Sequence, residues 1–142
     1  MSFVLDNSVA LAWCFEDEQT SAVMALLDRV ASTGAVAPLL WPVEALNGLI
    51  MAERRRRIGP EKRQQLAGLL RSLPVKLDEE TATQAWEETA RLGEPFRLSI
   101  YDAAYLELAQ RRRLPLATLD RNLWSAAAAI DLEGLPAATP SV

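Results

Sequence analysis

The stretch Phe3-Val4-Leu5-Asp6-Asn7-Ser8-Val9-Ala10 decides how the chain is read. A short apolar run ends on an acid, which predicts a strand over Ser2–Leu5. Apolar residues then return at helical spacing through Val9, Ala12 and Trp13, predicting a helix over Asn7–Phe15. The same unit recurs far along the chain. Leu116-Ala117-Thr118-Leu119-Asp120 predicts a strand over Leu114–Leu119, and a helix is expected over Arg121–Ala129. Strands that run straight into helices, repeated along a chain, imply a parallel sheet covered on both faces.

The sequence between these units fits that scheme. Val23, Leu26, Leu27 and Val30 mark one face of a helix over Glu18–Ala31, and Gly34 ends it. Further helices are expected over Trp41–Arg57, with Pro42 in the first turn, and over Glu61–Leu73, Glu79–Leu92 and Ser99–Arg112. Ala35–Ala37 and Pro74–Leu77 read as short strands, and Ile130–Leu132 as an edge strand. Two prolines in Leu135–Val142 suggest a flexible tail, so one domain is expected over residues 1–134 and a tail over 135–142. At 142 residues the chain has the length of one compact domain.

Composition removes several kinds of chemistry. There is no histidine, which excludes Ser-His-Asp and Cys-His catalysis and every His-ligated metal site. The single cysteine, Cys14, excludes a disulfide framework and reads as a small buried residue. No apolar stretch approaches the roughly 18–20 residues that span a bilayer. No basic segment precedes the first strand as a signal peptide would require, so a cytoplasmic protein with no membrane contact is expected. Carboxylates are left as the groups able to do chemistry.

Four of them stand out. Asp6 and Asp120 each close a strand and precede a helix, and ligands of open parallel sheets bind beyond the carboxyl ends of strands. Glu44 lies early in Trp41-Pro42-Val43-Glu44-Ala45-Leu46-Asn47-Gly48, sharing a helix face with Asn47 and Gly48; Gly48 leaves room there for a ligand or another backbone. Asp102 lies in Ser99-Ile100-Tyr101-Asp102-Ala103-Ala104-Tyr105. Each has a plainer reading: Asp6 and Asp120 as helix N-caps, Asp102 as the capping-box partner of Ser99. Together, four converging carboxylates would repel one another unless a cation sat among them, and an all-oxygen set selects Mg2+ or Mn2+. The charges agree: 19 acids against 15 bases give −4, so without these four the chain is formally neutral.

At these residues the chain resembles the PIN domain family, and within it the VapC-type toxins of toxin–antitoxin pairs. The matching stretches are Val4–Ala10, Trp41–Asn47, Tyr101–Ala109 and Leu116–Asp120, in order and at compatible spacing. The resemblance implies a Rossmann-like α/β/α sandwich with a mostly parallel central sheet. It also implies ribonuclease activity, Mg2+ or Mn2+ as cofactor, and a VapB-type antitoxin as partner. Carried over, Asp6, Glu44, Asp102 and Asp120 take the acidic positions, while Ser8 and Thr118 match positions that support the site. Asn7 departs from the small residue common after the first acid, and no further acid follows Asp120 at the helix start.

The expected reaction is metal-dependent hydrolysis of RNA, with the ion held by Asp6, Asp102 and Asp120 and activating water. Glu44 would orient that water or bind the ion through it, with Asn47 in support. Arginine runs suit phosphate, so Arg54, Arg55, Arg56 and Arg57, and Arg111, Arg112 and Arg113, are candidates for holding RNA; the plainer reading is a basic helix end. Trp13, Trp41, Trp86 and Trp124 are read as core or interface anchors before base-stacking platforms. The apolar surface around Val9–Phe15 and Val23–Leu27 is a candidate homodimer or antitoxin interface, with core burial the equal alternative. Two rivals are weaker. A phospho-acceptor receiver domain wants an acidic pair after the first strand and a late lysine, whereas Asn7 follows Asp6 and only Lys62 and Lys76 exist. A catalytically silent interaction module would not need all four acids.

Overall fold

A computed structural model of the chain describes residues 2–137. Five short strands form one sheet: β1 (Val4–Leu5), β2 (Ala35–Pro38), β3 (Val75–Asp78), β4 (Leu116–Ala117) and β5 (Gly134–Leu135). Their order is β3-β2-β1-β4-β5 and every pairing is parallel. Val4 lies opposite Val36 on one side and Leu116 on the other, which makes β1 the central strand. All residues of β1, β2 and β4 are buried, as a sheet covered on both faces requires.

The chain winds outward from β1 through β2 to β3, then crosses back to β4 and β5. Winding reverses between β1 and β4, so the crevice at their carboxyl ends is the topological switch point. Crossovers of one hand running in opposite directions place helices on both faces. They are α1 (Asn7–Ala12), α2 (Ser21–Thr33), α3 (Trp41–Arg54), α4 (Pro60–Ser72), α5 (Thr81–Gln84), α6 (Ala90–Gly93), α7 (Ile100–Arg112) and α8 (Arg121–Ala129). Helix α7 is buried without a break from Ala103 to Ala109, and it packs on β1, β2 and β4. At Gly93 an added Cβ would stand 2.6 Å from the Ala103 Cβ, so the missing side chain sets how closely α6 approaches α7.

Several boundaries differ from the sequence reading, each for a local reason. Helix α1 stops at Ala12, and the Trp13 indole N–H then donates to the Val23 carbonyl at 2.8 Å. Helix α2 starts at Ser21, because the Thr20 hydroxyl accepts the Val23 N–H and caps it there. Helix α3 ends at Arg54, not Arg57: Arg56 turns left-handed and the Arg57 N–H reaches back to the Ala52 carbonyl. The helix expected over Glu79–Leu92 is α5 and α6 joined by a wide π turn, Ala85–Thr89.

The edge strand is Gly134–Leu135, not Ile130–Leu132. Asp131 is left-handed, and the N–H groups of Ile130 and Leu132 both close α8 on the Ala127 carbonyl. Leu135 is buried and paired with Ala117, so the tail expected from residue 135 does not begin there; residues 138–142 lie outside the described residues.

The candidate interface around Val9–Phe15 and Val23–Leu27 is mostly core, with Val9, Ala12, Trp13, Phe15, Val23 and Leu26 all buried. Gly48 admits neither ligand nor backbone, since the Leu11 side chain of α1 fills the space its Cβ would take. Among the described residues no helix is long and apolar enough to cross a membrane.

Candidate active site

Asp6 follows β1 and is buried. Its backbone N–H donates to the Ala117 carbonyl of β4 at 2.9 Å, which holds it against the neighbouring strand. The carboxylate caps α1 through the Ser8 N–H, so the capping reading is correct as far as it goes. Two hydroxyls also donate to the same oxygen, Oδ2: Ser8 Oγ at 2.5 Å and Thr118 Oγ1 at 2.8 Å. In return Ser8 Oγ accepts the Leu119 N–H and Thr118 Oγ1 accepts the Asp120 N–H. Each hydroxyl has one proton, and both protons go to Asp6. The loop after β4 is thereby stitched to the start of α1. Every hydrogen bond to the Asp6 side chain ends on Oδ2, which leaves Oδ1 unclaimed among the described residues.

Asp120 caps α8, its Oδ1 accepting the Leu123 N–H at 3.0 Å. Asp102 begins α7, where its N–H donates to Ser99 Oγ. Among the described residues no bond returns from the Asp102 carboxylate to the Ser99 N–H, so only half of a capping box is made. Glu44, in the first turn of α3, accepts the Tyr105 hydroxyl on Oε1 at 2.6 Å.

The charge of one acid bears on the others. Burial pushes the Asp6 carboxyl up to about 6 against the lowering effect of its two hydroxyl donors, and the Asp102 charge pushes the same way. Glu44 is raised by burial and again by Asp102, against the Tyr105 bond. Asp102 is raised by burial and by Asp120, with Ser99 opposing. Asp102 is thus the member that couples to all three others, across the switch-point crevice. Asn7 Oδ1 adds a buried oxygen with no donor among the described residues. An oxygen-only set with uncompensated charge fits a hard divalent cation. Among the described residues, however, no three acids are drawn close enough to hold one ion as they stand.

Other expectations sort differently. Asn47 is exposed, and its side chain makes no hydrogen bond among the described residues. The arginine runs are divided. Arg57 pairs with Asp17 and Glu18 and lies over the Phe15 ring. Arg111 is held by Asp78, Glu80 and Glu107. Both therefore make contacts that serve the scaffold. Arg54, Arg55, Arg56, Arg112 and Arg113 are exposed. Trp13 and Trp41 are buried, whereas Trp86 is 88% exposed. Sequence reasoning gave no role to Tyr105, although it lies in the quoted α7 motif; its signal was a tyrosine one turn after an acid on an otherwise apolar helix.

A five-stranded parallel sheet with a carboxylate cluster at its switch point defines an α/β sandwich with an acidic site. The PIN domain model matches residues 3–129, and the chain belongs to the PIN domain family. No curated protein matches it by sequence. Among solved structures, FitAcB from Neisseria gonorrhoeae superposes with a TM-score of 0.65 at 17% identity, over 94% of this chain and 96% of that one. VapBC2 from Rickettsia felis, bound to a promoter DNA fragment, gives 0.64 at 15% identity, over 94% and 98%. The sarcin-ricin loop cleaving toxin VapC20 of Mycobacterium tuberculosis gives 0.60 at 18% identity, over 87% and 94%. At these identities the likeness is one of fold.

Proposed function

We propose that the protein is a metal-dependent endoribonuclease that hydrolyses RNA phosphodiester bonds and acts as the toxin of a toxin–antitoxin pair. The observation that carries this is the bonding that gathers the acids beyond β1 and β4: Ser8 and Thr118 tie Asp6 to the loop that carries Asp120, and Tyr105, one turn after Asp102 on α7, holds Glu44. Asp6 Oδ1, Asp102 and the Asp120 oxygen not spent on its cap would hold Mg2+ or Mn2+. When bound, such an ion activates water and offsets charge on the scissile phosphate. The chain's own residues do the rest. Ser8 and Thr118 fix the Asp6 carboxylate, the cap on α8 fixes Asp120, and Glu44 orients the attacking water. Without histidine there is no imidazole pair for 2′-hydroxyl attack, which favours water as the nucleophile. Arg121, exposed at the start of α8 directly after Asp120, is the candidate in this reading for contact with backbone phosphate. Cleavage of a fluorogenic RNA by chelator-treated protein with Mn2+ restored, against none in chelator, tests the reading.

The raised acids carry a second expected result. A carboxyl whose folded pKa exceeds its unfolded value stabilises the fold fully below the unfolded value, near pH 4, and that contribution is lost as pH rises through the folded one. For Asp6 the loss is centred at about pH 6, and Glu44 and Asp102 act in the same direction. In chelator, these groups should lower the melting temperature from pH 4 to pH 7. Divalent metal binds the ionised forms, so the gain from Mn2+ should be small at pH 5 and several degrees at pH 7.5, with Na+ at matched ionic strength giving none. A Mn2+ gain that does not grow with pH would sink the metal assignment.

The partners follow from the same surface chemistry. An acidic crevice is most directly closed by a cation, so a VapB-type antitoxin would place an Arg or Lys there. A further structure of the same fold, a toxin–antitoxin complex from Klebsiella pneumoniae (TM-score 0.61, 17% identity), supports such a partner. A homodimer through α5–α7 is supported by apolar exposure: Leu39, Ile100 and Tyr101 border a groove floored by Leu40, Ala85 and Ala104, and Trp86 projects from the adjoining turn. The isolated protein is expected to run at twice the chain mass in light scattering, and Trp86→Lys at one chain mass.

A further inference from the structure

Tyr105 is the bulkiest fully buried side chain in the protein, and its hydroxyl is its single polar atom. It stands on α7 three residues after Asp102, on the same side of the helix. That hydroxyl donates to Glu44 Oε1 at 2.6 Å, joining two residues 61 positions apart. We propose that Tyr105 is the positioning residue for Glu44: it fixes one carboxylate oxygen of the α3 acid to the helix that carries Asp102, and leaves Oε2 as the oxygen that acts. The inference rests on the nuclease reading above.

A glutamate side chain has three rotatable bonds, and one charge-assisted bond from a side chain with no room to move removes most of that freedom. The bond favours the ionised carboxylate at a place where burial and the Asp102 charge both oppose it. The phenol itself stays protonated, because burial, the bond to Glu44 and the surrounding acids all push its pKa far above the usual range. It is therefore a permanent donor and neither a base nor a nucleophile. No other hydrogen bond among the described residues restrains the Glu44 carboxylate, so its orientation falls to this contact.

Tyr105→Phe keeps the ring and deletes the donor. The expected result is a kcat about 10- to 100-fold lower, as is typical when a partner behind a functional carboxylate is lost, with KM for RNA unchanged. In a Glu44→Ala background the same change should cost nothing further, since a residue acting through another is silent once that other is gone. Glu44→Asp, which keeps the charge but falls one methylene short of the phenol, is the second variant and should lose kcat to the same order. Wild-type kcat in Tyr105→Phe, or losses that add in the double variant, would overturn the proposal. So would a crystal structure of Tyr105→Phe with the Glu44 carboxylate in its original place, a readout independent of activity. A wild-type protein that cleaves no RNA with any divalent metal would remove the nuclease reading instead, and the crystallographic result would still decide whether Tyr105 fixes the carboxylate.

Discussion

Asp120→Asn is expected to reduce RNA cleavage by orders of magnitude while leaving the fold intact. Asp120 does two things in the structure. Its Oδ1 accepts the Leu123 N–H and caps α8, and its charge raises the Asp102 pKa after burial has done so. Asparagine caps a helix about as well as aspartate, so the cap survives the change. The negative charge does not, and an ion held by carboxylates loses one of them. In chelator the variant should melt at the wild-type temperature or slightly above it, because Asp102 is relieved of one repelling neighbour. Asp120→Ala loses cap and charge together, which adds about 1 kcal/mol of instability to the loss of activity. The measurement is paired: cleavage with Mn2+, and melting in chelator, for the three proteins. Full cleavage by the Asn variant would return Asp120 to plain capping.

Capping and site membership compete for the same residue in a sequence reading, because one Asp before a helix signals both. The two readings are compatible in the structure, since a carboxylate has two oxygens. Asp6 spends Oδ2 on its cap and on two hydroxyls, Asp120 spends Oδ1 on its cap, and each retains the other oxygen. The strands and the acids after them were legible because buried parallel strands are short apolar runs, and an acid at their end interrupts them visibly. The all-parallel order was legible only as a class, since local pattern carries no information on which strand pairs with which.

What could not be read came from long range. The bond between Tyr105 and Glu44 joins two helices that the sequence keeps 61 residues apart. Gly48 looked like room for a ligand because its neighbour, Leu11 of α1, lies outside any local window. The edge strand moved from Ile130–Leu132 to Gly134–Leu135 because Asp131 adopts a left-handed turn that closes α8, a conformation not evident in an apolar run. The arginine runs divide for another reason. Charge clustering in sequence says where cations are, and says nothing of the acids that meet them after folding.

Arg111 shows the consequence most strongly, and Arg111→Met is expected to destabilise the fold well beyond the loss of a helix cap in Asp120→Ala. Its guanidinium bonds Asp78 Oδ2 at 2.7 Å and Glu107 Oε2 at 2.9 Å, and both of those side chains are 4% exposed. Glu80, mostly exposed, adds a third contact at 3.2 Å. Burial alone would raise the Asp78 pKa, but the Arg111 bonds and charge outweigh it and hold the carboxyl below its usual value. Methionine fills the volume and removes the cation, leaving two buried carboxylates without it. Breaking one side of a buried pair in this way costs about 3–5 kcal/mol. The pH dependence follows from the sign of the Asp78 shift. A depressed folded pKa gives stability that is present above the unfolded value and lost as pH falls through the folded one. The gap between wild type and variant should therefore be widest near pH 7 and narrow toward pH 3–4, as measured by denaturant melts. Arg111→Lys should fall between them, keeping the charge but not the planar fork that meets two carboxylates at once. An RNA-contact role predicts the opposite pattern: weaker RNA binding with an unchanged melt at every pH. That outcome would show that the buried carboxylates are held by something other than Arg111.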